Sequence, residues 1–254
     1  MPRSLLLFAA AWLATALVAT SPAAQTHAPP PKPYAPVAVV LPAASADPAF
    51  TAFRGALAAV ARRRVYAALG RLVRPQGFFW DRDFDHGFDP QRPAVDNLAA
   101  AIALEHENGS GWQLLAAMAA ETAVEPLASR PGVFCAPARP AYDGVALARL
   151  LDATHTGPAD WAYPRRPETP VLEAPRPDAA TLGTLGLFFV RLVEFEGGKG
   201  EPPALHRQWA RVATPGARVG FVAPGHLTSL TSDRLCYVRN LADWQIAGYV
   251  AGGR

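Results

Sequence analysis

The stretch 209–227 constrains this chain most. Two short segments rich in β-branched and aromatic residues, beginning at Trp209 and Val219, flank Pro215 and Gly216, and Pro224 and Gly225 follow the second. Proline presets φ for the first central position of a tight turn and glycine tolerates the positive φ that a following position can require, so the pattern specifies an antiparallel hairpin. Stretches 171–172, 180–185 and 188–193 have the same strand character, and 235–239 with 244–250 predict one more hairpin. Short strands at this spacing predict a small β-barrel over residues 169–254.

The preceding residues carry a different period. Asp47 before Pro48 reads as an N-cap with proline in the first turn, and Phe50, Phe53, Leu57 and Val60 follow at helical spacing. This helix is expected to continue through Tyr66, Leu69 and Leu72. Arg62, Arg63 and Arg64 cross its solvent side, and that composition alone reads as a solvated face rather than a contact with anionic lipid or polymer. Further helices are expected over 93–106, 111–120 and 143–152, the first two separated by the breaker at 107–111. Residues 47–155 therefore read as an α-helical domain, and the Gly, Pro, Trp and Arg of 156–168 as a linker. The expected fold class is α+β, an α-rich N-terminal domain followed by the small all-β unit.

Residues 1–24 place Arg3 before an apolar stretch at 5–18 and small residues after it, the pattern of a cleavable secretory signal. The apolar stretch is short of the roughly 20 residues that cross a bilayer, so no stable membrane insertion is expected after cleavage. Residues 25–46 read as a proline-rich tether with polyproline II character, and 37–41 as a short edge strand. In an exported chain the two cysteines, Cys135 and Cys236, are expected to form a disulfide.

Residues 169–185, with Trp209 to Val212, Arg218 to Val222 and Leu227, resemble bacterial SH3 domains. Phe221 stands where tryptophan is common in that family, and the loop before Trp209 is long. The resemblance implies an SH3-like barrel of the kind that exported and cell-wall proteins use to hold short peptides, often of peptidoglycan. Trp209, Phe221, Tyr237 and Trp244 are then the candidates for an aromatic groove around an extended peptide, with core packing as the other reading of the same residues.

No catalytic constellation stands out. Asp81, Asp83, Asp85 and Asp89 superficially resemble a calcium loop, but His86 and Arg92 occupy positions that a helix-loop-helix site gives to glycine and a carboxylate. The six histidines show no metal-binding spacing. A net charge of +3 with scattered arginines gives no basic stripe interleaved with aromatics, which argues against nucleic acid. The expectation is a non-enzymatic periplasmic or secreted envelope protein, without metal or cofactor, that binds cell-wall peptide or an envelope protein. A hydrolase using Cys135 with a histidine, and a purely structural periplasmic protein, are the alternatives.

Overall fold

A computed structural model describes residues 31–82, 87–193, 204–241 and 243–252. The expected signal at 1–24 lies outside them, as does part of the long loop before Trp209. Five α-helices are described: α1 (Pro48–Arg63), α2 (Tyr66–Leu72), α3 (Ala94–Ala101), α4 (Ser110–Ala120) and α5 (Gly144–Thr154). The strands are β1 (Val39–Val40), β2 (Phe79–Asp81), β3 (Glu125–Pro126), β4 (Val133–Ala136), β5 (Ala141–Tyr142), β6 (Trp161–Pro164), β7 (Thr169–Leu172), β8 (Thr181–Leu185), β9 (Val190–Leu192), β10 (Ala210–Ala213), β11 (Val219–Val222), β12 (Leu227–Ser229), β13 (Arg234–Asn240) and β14 (Asp243–Val250). The fold is α+β.

Helix starts follow their local signals. Asp47 caps α1 by accepting from the Ala49 amide at 2.8 Å, and Asp143 caps α5 by accepting from Val145 and Ala146. The first helix does not run through to Leu72 as expected. Arg64 adopts φ 55° and ψ 42°, its amide closes onto Val60 and Ala61, and α2 starts two residues later at Tyr66. The left-handed residue turns the chain so that Leu69 is buried in the same core as Leu57.

The strands form open sheets rather than the closed barrel expected over 169–254. One sheet has the order β12-β6-β9-β10-β11-β7-β8, another the order β2-β14-β13-β4-β3, and β1 pairs with β5. The reason lies in β13 and β14. Each strand of that hairpin takes a partner from the front half: β13 pairs antiparallel with β4, and β14 parallel with β2. Leu235, Tyr237, Trp244 and Ile246 bury against the helices, while Cys236, Ala247 and Val250 face a second cluster with Phe79 and Val133. A bulge after Cys236 adjusts the alternation.

Neither the expected linker nor the expected tether survives as such. Residues 161–164 form β6, whose Trp161 is fully buried and donates from Nε1 to Thr156 Oγ1 at 2.8 Å. Proline is tolerated there because Pro164 ends the strand. In the described part of the tether, Tyr34 donates its hydroxyl to Ala213 O at 2.8 Å and meets Trp161 edge-on at 5.0 Å. Val37 and Val39 join a cluster with Leu147, Leu150, Tyr163 and Phe189. Two valines on alternate positions have an apolar surface to bury, and that outweighs the extended, solvated state suggested by the prolines. The described residues from 31 to 252 form one compact unit.

Candidate functional site

The four aromatic candidates do not meet. Tyr237 is fully buried between Phe50 and Phe53 of α1, with ring centroids at 5.3 and 5.8 Å. Trp244 lies beside it, 4.9 Å from Phe50 and 5.8 Å from Phe134. Both belong to the helical core, not to a groove, because β13 and β14 pack one face on α1. Trp209 and Phe221 are half-buried in the other sheet. There Ala210, Val212 and Val222 point into the core, so the strand alternation sends Arg211 and its cross-strand partner Phe221 to the opposite face.

The expected disulfide is present. Cys135 and Cys236 are directly paired across β4 and β13, with an S–S distance of 2.02 Å, and both are fully buried. Neither sulfur is available as a nucleophile in this state, which removes the thiol on which a Cys135 hydrolase depends. Among the described residues no group of three or more His, Cys, Asp or Glu is placed to hold a metal ion. Of the four aspartates that resemble a calcium loop, Asp83 and Asp85 lie outside the described residues, while Asp81 pairs with Arg130 at 2.8 Å and Asp89 accepts from the Gln91 amide. No helix among the described residues is long and apolar enough to cross a membrane.

The seven-stranded sheet carries an open surface depression at another place. A surface cavity of about 290 Å³ opens where β7 and β8 meet the β10–β11 turn, lined by Val171, Leu182, Gly183, Thr184, Thr214 and Arg218 among others. This is near the lower end of the volumes that hold small ligands. The turn is closed by the Thr214 amide donating to Arg218 O at 2.9 Å and the Ala217 amide to Thr214 O at 2.8 Å, with Ala217 at φ 63°. Arg218 is exposed and donates from its guanidinium to Leu182 O at 2.6 Å, which holds the cation at the cavity's rim.

Strand β8 forms the outer wall. Among the described residues it pairs only with β7, and Thr181, Gly183 and Thr184 are exposed. Sheet edges are usually blunted by lysine, proline or a covering element. The sequence Thr-Leu-Gly-Thr-Leu contains neither residue, although the pairing shifts register between Val171 and Leu172. Close approach behind this wall depends on Gly220, where a Cβ would lie 2.5 Å from Val171 Cγ1 and 2.8 Å from Leu172 O. The Pro-Gly turn signal located this hairpin in the sequence; which strand would be left as the edge had no local signal.

A second cavity, of about 100 Å³, lies between Leu41, Tyr163, Thr228 and the Glu121–Arg165 ion pair. It is too small for a ligand beyond a few atoms. No family model, curated protein or solved structure matches the chain.

Proposed function

We propose that this is a non-enzymatic exported envelope protein that holds an extended, acidic peptide, such as a cell-wall stem peptide, along β8. The observation that supports this reading most is the pairing of an exposed, uncharged sheet edge with a cavity that carries one cation, Arg218, at its rim. An added strand takes affinity from main-chain hydrogen bonds and selectivity from pockets for alternate side chains. Here the cavity takes one such side chain and the guanidinium faces a carboxylate. The disulfide fits an oxidising compartment, and the resemblance of residues 169–227 to bacterial SH3 domains points the same way. Peptide recognition is assigned to the β8 edge instead of the aromatic quartet.

Co-sedimentation with purified peptidoglycan tests the reading. The wild-type chain is expected in the pellet, Arg218→Glu at least tenfold less, and Trp209→Ala as much as wild type. Equal retention of wild type and Arg218→Glu, or none of either, rejects it.

A further inference from the structure

We propose that the corner between α1 and α2 is a docking surface for an anionic phospholipid bilayer. Every residue from Arg62 to Ala67 is exposed, and so are Arg71 and Arg74 close by in the chain. The side chains of Arg62, Arg63, Arg64, Arg71 and Arg74 form no ion pair or hydrogen bond with any described residue. Arg54 donates to Ala119 O and covers Phe50, and Arg130, Arg139, Arg165, Arg234 and Arg239 each meet a carboxylate; Arg149, Arg166 and Arg207 are also exposed, but none of them lies in a run of three, whereas Arg62, Arg63 and Arg64 are consecutive. The two carboxylates that act on Tyr66, Asp96 and Glu105, leave the corner with a surplus of positive charge.

The apolar content of the corner selects the partner. Val65 and Tyr66, 42% and 39% exposed, sit at the junction directly after the three arginines. A bilayer interface rewards this combination, since guanidinium groups meet lipid phosphates while a valine and an amphipathic tyrosine ring enter the headgroup region. A purely ionic polymer draws nothing from Val65. The tyrosine is fixed in place, because its hydroxyl donates to Asp96 Oδ1 of α3. Arg64, in the left-handed conformation, ends α1, and its guanidinium lies against Gly109.

Flotation of the full chain with vesicles of phosphatidylcholine, with and without 30% phosphatidylglycerol, tests the proposal. Comparing chains that share the same N-terminal residues 1–24 cancels any contribution of that segment. Binding to the anionic vesicles is expected to exceed binding to neutral ones at least tenfold, and to fall at least tenfold in Arg62→Glu/Arg63→Glu/Arg71→Glu and severalfold in Val65→Asp. The corresponding triple lysine variant is expected to bind as wild type, and all variants to unfold at the wild-type temperature. Equal binding to both vesicle types, an unchanged triple glutamate variant, or retention on heparin without binding to anionic vesicles overturns it.

Discussion

Trp244 Nε1 donates to Asp47 Oδ2 at 3.0 Å, and this bond ties the first residue of the helical region to the last strand of the fold. The same carboxylate caps α1 through Ala49 and lies 3.3 Å from Arg239. One side chain thus fastens the start of the helical core to the hairpin that supplies its aromatic floor.

Asp47→Ala is expected to lower the unfolding midpoint by several degrees, because it removes the cap and leaves the indole N–H without its acceptor. Partial desolvation raises the Asp47 pKa, but the bonds from Trp244 and Ala49 and the charge of Arg239 outweigh it and hold the carboxyl below its usual value. A lowered acid contributes stability above its unfolded pKa of about 4, and that contribution is lost as pH falls through the folded value. Thermal melts of wild type and Asp47→Asn between pH 6 and pH 3 should therefore converge toward the acid end.

Replacing the disulfide in Cys135→Ala/Cys236→Ala is expected to cost about 4 kcal/mol, since it closes a loop with a sequence separation of 101. In a chain of this size that corresponds to a fall of roughly 10 °C in Tm. Calorimetry after unfolding and refolding in reductant should show the wild type moving toward the variant, and free thiols detected by alkylating the unfolded, unreduced chain would mean the bond does not form.

Glu125 anchors two cations, Arg139 at 2.8 Å and the nearly buried Arg234. Burial pulls the Arg234 pKa down while Glu125 pushes it back up. Glu125→Ala strands that guanidinium and should cost on the order of 3 kcal/mol. Arg176→Ala, which breaks an exposed pair with Asp178, should cost less than about 1 kcal/mol by the same denaturant titration.

His206 and His226 each have a buried ring nitrogen with no hydrogen-bond partner. Desolvation lowers both pKa values, helped by Arg207 and opposed by Asp233 at His206, and helped by Arg166 at His226. Below about pH 6.5 the unfolded chain binds protons that the fold resists, so stability declines as pH falls through the histidine range. The double variant His206→Gln/His226→Gln should show a smaller loss of Tm between pH 7.5 and pH 5.5 than wild type does.

Features governed by neighbours in sequence were readable in advance. Asp47 with Pro48, Asp143, and Pro215 with Gly216 act within a few residues, and helices α1 and α5 and the β10–β11 hairpin form where those residues stand. The pairing of β13 with β4 and of β14 with β2 joins segments about one hundred residues or more apart, and no local pattern distinguishes such partners from the strands nearby. Placing Tyr237 and Trp244 in a groove failed for that reason: an aromatic on a strand has the same sequence signature whether its face meets solvent or α1. Strand β6 was hidden because proline, tryptophan and arginine in 156–168 read as a linker, although the alternation of Trp161 and Tyr163 against Ala162 fits a strand buried on both faces.

Amide hydrogen exchange with a soluble stem peptide of peptidoglycan tests recognition at the sheet edge most directly. Residues 181–185 and 214–218 are expected to slow by at least threefold on adding peptide, with the helices unchanged and no slowing in Arg218→Glu. Protection confined to the surroundings of Trp209 and Phe221, or no change anywhere at saturating peptide, would contradict it.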